Sequence, residues 1–192
     1  MSSDRLVPPP TTPDDDDRRR FLAAVRERAV VRGDVVLSSG ARADLYVDLR
    51  RVTLAGDVAP VVGRLVLGVA RAVDAEVVGG LTLGADPVAA AALHAAAAAG
   101  SSIDACVVRK DTKQHGLQRR VEGPDVTGRR VLVVEDTSTT GGSALTAADA
   151  LTAEGALVVG VLVLLDRGAR ARVEAAGFDY RAVLTLDDLA LG

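Results

Sequence analysis

The run Arg130 to Leu145, RVLVVEDTSTTGGSAL, constrains this chain more than any other stretch. Val131 to Val134 read as a buried strand, and two adjacent acids, Glu135 and Asp136, sit at its carboxyl end. Thr137, Ser138, Thr139, Thr140, Gly141, Gly142 and Ser143 are all hydroxylated or glycine. Ala144, Leu145, Ala147, Ala148 and Leu151 then have helical spacing. Strand, acids, turn and helix start, in that order, build an anion site. The turn exposes backbone N–H groups, and the helix N-terminus adds partial positive charge. Carboxylates repel phosphate, so the acids need another partner; ribose hydroxyls or a hydrated Mg²⁺ would serve. The run is not a Walker A loop, since GxxxxGK[ST] is absent, and not a dinucleotide fingerprint, since GxGxxG is absent.

VLVVEDTSTTGGSAL resembles the phosphoribosyl pyrophosphate (PRPP) motif of type I phosphoribosyltransferases. The rest of the chain tests that resemblance. Its 192 residues suit one domain with a full core, and its net charge of −3 does not favour nonspecific binding to nucleic acid. With no Trp, two Phe and two Tyr, the core must be mostly Val, Leu and Ala, and an aromatic platform for single-stranded nucleic acid is hard to build. Cys106, the sole cysteine, lies in the apolar run IDACVV and reads as a buried thiol. No apolar run approaches the ~20 residues of a membrane span, and the N-terminus lacks the apolar core of a signal peptide. These features predict a cytoplasmic protein.

Residues 1–13, rich in Pro, Ser and Thr, are predicted to be a disordered tail, and residues 14–192 a single domain. Within it, residues 14–55 form an N-terminal helix and hood, and residues 56–192 an α/β core. Asp14 to Asp17 precede Phe21, Leu22, Val25 and Ala29 at helical spacing, so the acids read as a helix start rather than a metal site. Val35–Leu37 and Leu45–Arg50 read as short strands around the turn SSGARAD, with Asp48 and Arg50 a candidate ion pair. SSGARADLYVDLR resembles the hood segment of orotate phosphoribosyltransferases, SG…Y-x-D-x-R. Asp57–Val73 reads as a helix with Pro60 in its first turn. Glu76–Leu81 is a buried strand, followed by the glycine turn Thr82–Pro87 and an alanine-rich helix to about Ala99; His94 sits on that helix face. The glycine turn is a second candidate anion loop, placed where the family has its pyrophosphate loop.

Ile103–Val108 is the next strand, and Arg109-Lys110-Asp111-Thr112-Lys113-Gln114-His115-Gly116 makes a basic loop. Such a loop could be a solubilising surface segment, or a lid over a departing polyanion, which needs mobile cations. R-K-x-x-K-x-H-G resembles the catalytic loop of orotate phosphoribosyltransferases, supplied across a dimer interface. Leu157–Leu165 is a long apolar strand ending in Asp166-Arg167-Gly168, and the LDR triplet resembles the strand end whose arginine meets the orotate carboxylate. Phe178–Leu184 reads as a final strand and Asp187–Leu191 as a short end. Strands alternating with helices predict a mainly parallel, doubly wound sheet covered on both faces, with ligands beyond the strands' carboxyl ends.

The resemblance implies an orotate phosphoribosyltransferase: PRPP and orotate give orotidine 5′-monophosphate and pyrophosphate, with Mg²⁺, in a cytoplasmic homodimer of the pyrimidine pathway. It implies that Glu135 and Asp136 hold the ribose hydroxyls and order the hydrated metal, with no direct protein ligand to it. Thr137, Ser138, Thr139, Thr140, Gly141, Gly142 and Ser143 would bind the 5′-phosphate. Arg109, Lys110, Lys113 and His115 would neutralise pyrophosphate, with Arg109, Lys113, His115 and Asp136 as the catalytic set. Tyr46, Val47, Thr139 and Arg167 would hold orotate. Some family members carry lysines where this chain has Ser38 and Gly84; Arg42, Arg50 and Arg51 are the candidate substitutes. The other readings are a phosphoribosyltransferase for another base and a PRPP-sensing regulator, the latter needing a basic face.

Overall fold

The computed structural model describes residues 15–36, 42–110 and 120–190. The expected tail 1–13, the residue Ser38, and Lys113 and His115 of the basic loop lie outside the described residues.

Helix α1 (Asp15–Ala24) starts on its acids, and the chain continues in a π-helical turn, Val25–Ala29. Strands β1 (Val30–Val36) and β2 (Arg42–Val47) pair antiparallel as a separate two-stranded sheet, the hood. The first strand therefore starts earlier than the expected Val35–Leu37, because Val30 and Val31 pair with Val47 and Tyr46. The second ends before Arg50, which opens a one-turn helix, α2 (Arg50–Thr53), instead of closing a strand.

Then come α3 (Ala59–Ala72), β3 (Val77–Leu81), α4 (Ala85–Ala98), β4 (Asp104–Val108), β5 (Val121–Glu122), β6 (Arg130–Ser138), α5 (Gly142–Ala153), β7 (Leu157–Asp166), α6 (Arg170–Ala175), β8 (Tyr180–Thr185) and α7 (Leu186–Leu189). The main sheet has the order β5-β4-β3-β6-β7-β8 and is parallel except at the β4–β5 edge. The mainly parallel sheet with a hood is thus as expected. The short end expected over Asp187–Leu191 is the helix α7, because Thr185 and Asp188 cap each other reciprocally.

Alternate residues of each strand face opposite helical layers. Val78, Leu132 and Val134 pack with α1, α3 and α4, whereas Val77, Val131 and Val133 pack with α5 and α6. Small residues make this packing possible: a Cβ on Gly63 of α3 would come within 2.2 Å of the Ala91 carbonyl of α4. Cys106 is buried in the second layer, and burial pushes its thiol up to about 11. Arg64 of α3 grips Asp17 of α1 through Nε and Nη2 (2.7 and 2.6 Å), and Arg18 meets Asp188 of α7 at 2.6 Å. The N-terminal helix is thereby fixed to both the core and the chain's last helix. Among the described residues no helix is long and apolar enough to cross a membrane.

Candidate active site

The strand order reverses between β3 and β6. From β3 the chain steps outward to β4; from β6 it steps the other way to β7 and β8. Such a reversal forces the connections to opposite faces and leaves a crevice at the strands' carboxyl ends. The ladders show where it opens. β3 and β6 pair only from Val77–Val131 to Gly79–Val133, while β3–β4 runs on to Leu81–Val108 and β6–β7 to Ser138–Asp166. Beyond Gly79 and Val133 the two strands part. Glu135 and Asp136 stand on one lip, and the Thr82–Asp86 loop on the other.

The hood closes this crevice into a cleft of about 280 Å³, lined by Tyr46, Val47, Asp48 and Arg50 from the hood side and Thr82, Leu83 and Gly84 from the glycine loop. Lys110, Glu135, Asp136, Thr137 and Ser143 complete its polar wall. Val47 is 3 % exposed, so its side chain belongs to the core.

Gly84 lets the loop lie close to the acids, since a Cβ here would lie 2.5 Å from Glu135 Oε1 and 2.6 Å from Asp136 Oδ1 and both carboxyl ends would have to turn aside. The loop thus presses its backbone against the acidic pair. Asp86 accepts from the Thr82 hydroxyl at 2.7 Å, while its other oxygen is buried without a partner. Glu135 is itself buried. Burial, then the charge of Asp136 beside it, pushes the Glu135 carboxyl far above the usual carboxylate range.

Two of the acid-and-turn residues have structural work as well. Asp136 Oδ1 accepts the Thr137 N–H at 2.6 Å, and the buried Ser138 hydroxyl accepts the Gly141 N–H at 3.1 Å. Gly141 closes the turn at φ +74°, a conformation that suits glycine. The first α5 backbone bond is Leu145 N–H to the Gly141 carbonyl at 2.9 Å. This leaves the N–H groups of Ser143 and Ala144 without a helical acceptor, an anion-facing helix start. Strand β6 runs through both acids to Ser138, so the acids lie within the strand and only Thr139 to Gly141 form the turn.

Arg109 and Arg167 stand apart from the cleft-lining set. Arg109 is the first residue of the basic loop; its N–H bonds the Arg120 carbonyl at 2.8 Å, and its guanidinium reaches Glu122 at 3.4 Å. The basic loop is therefore the connection of the β4–β5 hairpin, a pairing that a two-residue β5 gave no periodicity to reveal. Arg167 N–H bonds the Ser138 carbonyl at 2.8 Å, which sets this residue beside the Thr139–Gly141 turn, and its Nε is buried without a partner among the described residues. Asp166 holds the bend after β7 by accepting from Gly168 and Ala169 (2.9 and 2.8 Å). Burial raises the Asp166 carboxyl's proton affinity, but those N–H bonds and the Tyr180 hydroxyl outweigh it and hold the group below its ordinary value. Arg50, expected as the ion-pair partner of Asp48 and as a substitute cation, makes that pair at 2.8 Å and also lines the cleft.

A backbone loop, an acid pair and a helix start around one cleft suit a sugar phosphate. A sequence model described as the phosphoribosyl transferase domain matches residues 77–181. The orotate phosphoribosyltransferase of Streptomyces avermitilis is 60% identical over 173 residues, covering 88% of this chain and 95% of that protein. The crystal structure of Mycobacterium tuberculosis H37Rv orotate phosphoribosyltransferase with Fe(III) dicitrate superposes with TM-score 0.82 at 55% identity, covering 91% of this chain and 99% of that one. The same enzyme with PRPP gives TM-score 0.78 at 51% identity, covering 91% and 99%. The chain belongs to the phosphoribosyl transferase family and, within it, to the orotate phosphoribosyltransferases.

Proposed function

We infer that this chain transfers the phosphoribosyl group of PRPP to orotate, releasing pyrophosphate and forming orotidine 5′-monophosphate in pyrimidine biosynthesis. The observation that carries the reading is the parting of β3 and β6, which sets an acid pair opposite a backbone loop and beside a helix start. In the reaction the C1–pyrophosphate bond breaks, its electron pair leaves with pyrophosphate, and the pyrimidine nitrogen forms the new bond from the opposite face. Positive charge grows on the ribose and negative charge on the leaving group.

Each residue's role follows from that charge flow. Asp136 and Glu135 take the ribose hydroxyls, and Asp136 supplies negative charge where the ribose becomes cationic. The turn Thr137–Ser143 holds the 5′-phosphate through backbone N–H groups, with Thr139 and Thr140 exposed on it. Arg109, Lys110, Lys113 and His115 neutralise pyrophosphate. Orotate lies against Tyr46 and the backbone of Val47, with Thr139 near and the unpartnered Arg167 on its carboxylate.

Mg²⁺ accompanies PRPP. The donors present fit it: adjacent carboxylates at Glu135 and Asp136 can hold a hard cation through its waters. Among the described residues no group of three or more His, Cys, Asp or Glu is placed to hold a metal ion, so substrate and water supply its remaining ligands. When bound, the cation offsets charge on the pyrophosphate.

We also propose a cytoplasmic homodimer that shares the basic loop. Lys110 lines the cleft of its own chain, so the contribution across the interface falls to Lys113 and His115. Mixing Lys113→Ala protein with Asp136→Asn protein tests this. Each is expected to be nearly inactive alone, and heterodimers regain one site with good acids and a good loop. No recovery after verified subunit exchange would count against the shared site, while wild-type turnover of orotate tests the reaction itself.

A further inference from the structure

The cleft is acidic: Asp48, Glu135 and Asp136 line it, and Asp86 lies behind the glycine loop. A ligand ending in pyrophosphate is a polyanion and cannot rest there without cations. Among the described lining residues only Arg50 and Lys110 carry positive charge. Lys110 is the root of the basic loop. Arg50 opens α2, three residues after the end of β2 at Val47.

We propose that Arg50 is a pyrophosphate-binding residue, a fixed guanidinium fork positioned by Asp48 on the hood side of the cleft. This rests on the reaction inferred above. The Arg50 backbone N–H and Nε both donate to Asp48 Oδ1, at 3.2 and 2.8 Å. Its two Nη groups have no partner among the described residues. A guanidinium anchored by one edge presents the other as two parallel donors, a geometry that suits phosphate oxygens. The Asp48 bond first, and also the charges of Tyr46 and Asp136, raise Arg50 above its ordinary value, so it stays cationic.

Two neighbours narrow the choice. Arg51 points away, donating to the Arg28 carbonyl at 3.3 Å. No cation comes from position 84, which is glycine in this chain. The glycine that lets the loop approach the acids is thus what transfers the cation's task to the opposite wall.

Binding of inorganic pyrophosphate with Mg²⁺, and separately of ribose 5-phosphate, is measured by calorimetry for wild type, Arg50→Ala, Arg50→Lys, Asp48→Asn and Arg51→Ala. Arg50→Ala is expected to weaken pyrophosphate by roughly 10–150-fold, the loss that goes with one charged hydrogen-bonding group, and to leave ribose 5-phosphate within about twofold. Arg50→Lys should recover part of the loss, since it keeps charge without the fork. Asp48→Asn should lose an intermediate amount, and Arg51→Ala almost nothing. Unchanged pyrophosphate affinity in Arg50→Ala overturns the proposal, as does an equal loss in Arg51→Ala or an equal loss of ribose 5-phosphate. Should Arg50→Ala fail to fold, Arg50→Lys and Asp48→Asn carry the same decision: full pyrophosphate affinity in both overturns it. Wild-type turnover of orotate is measured alongside. Its absence would sink the inferred reaction, while the titrations would still decide Arg50.

Discussion

The groove bounded by α1, α3 and α4 encloses about 1110 Å³, and the cleft at the carboxyl ends of β3 and β6 about 280 Å³. They differ in what their polar groups are doing. In the groove Arg64 is bound to Asp17, Arg20 to Asp16 at 3.0 Å, and Arg71 to the Ser101 hydroxyl at 2.9 Å, over a floor of Leu67, Gly68 and the alanines of α4. In the cleft and beside it, among the described residues, one Asp86 oxygen and Arg167 Nε are buried without partners, and Glu135 is buried beside Asp136. Unsatisfied buried polar groups cost about 1–3 kcal/mol each, so they persist where a ligand repays them. Strand ends concentrate them because a parallel sheet delivers several backbones to one edge.

The sharpest way to break this contrast is Asp136→Asn. The amide keeps shape and most hydrogen bonding but removes charge where the ribose becomes cationic. Loss of one preorganised electrostatic group commonly costs ~10²–10³ in kcat. Single-turnover measurement on folded protein checks it, and near-wild-type turnover would remove Asp136 from the mechanism.

Arg167→Ala comes next. Orotate differs from uracil by its carboxylate, so selection needs a positive donor, and Arg167 has a buried nitrogen with none of its needs met. A charged hydrogen bond contributes about 1.5–3 kcal/mol, or roughly 10–150-fold in kcat/KM for orotate. PRPP affinity should change little, and Arg167→Lys should recover part. If kcat/KM for orotate is unchanged while the melting temperature falls, Arg167 is only a sheet-edge residue.

Much of this contrast was legible in the residues. Apolar runs ending in Gly84–Asp86, Arg109, Glu135–Ser143 and Asp166–Arg167 placed each cluster at a strand end, and the sheet order makes those strands, β3, β4, β6 and β7, neighbours. Periodicity carried that information because buried parallel strands are continuous apolar runs. It did not carry the extent of β6 through two acids, since a ladder to β7 tolerates polar side chains that face a crevice. Nor did it carry α2 or α6, which are too short for a helical period. The early start of β1 was hidden because Val25 and Ala29 continue a helical pattern that the backbone completes as a π turn. The close approach of Gly84 to the acids was visible only in the folded chain.

Glu135→Gln sharpens the contrast by separating stability from function. The folded state raises this carboxyl's pKa, so the folded protein holds the proton more tightly than the unfolded chain. Stability from such a group falls as pH rises above the ordinary carboxylate value. The neutral amide removes that slope. The variant should melt higher than wild type, by about 2–4 °C for each kcal/mol gained, and the gap should widen from about pH 5 to about pH 8. PRPP affinity should drop, since an amide holds ribose hydroxyls and hydrated metal less well. A parallel pair of melting curves against pH would show that burial and Asp136 do not strain Glu135.

The smallest effect is expected from the groove. Arg71 lies on its rim, exposed, with its guanidinium on the Ser101 hydroxyl. Nothing there converges on a strand end, and its bond is to a surface side chain, so Arg71→Ala should change stability by no more than about 0.5 kcal/mol. Steady-state kcat/KM for orotate and for PRPP should stay within about twofold, because the substitution removes neither a ligand contact nor a buried partner. The measurement bears on the contrast because volume alone ranks the groove above the cleft. A tenfold fall in either kcat/KM, with an unchanged melting temperature, would mean that the groove takes part in the reaction cycle. The distinction between paired and unpaired polar groups would then fail to separate the two regions. Unchanged kinetics beside the losses in Asp136→Asn and Arg167→Ala would leave chemistry, rather than size, as what marks the site.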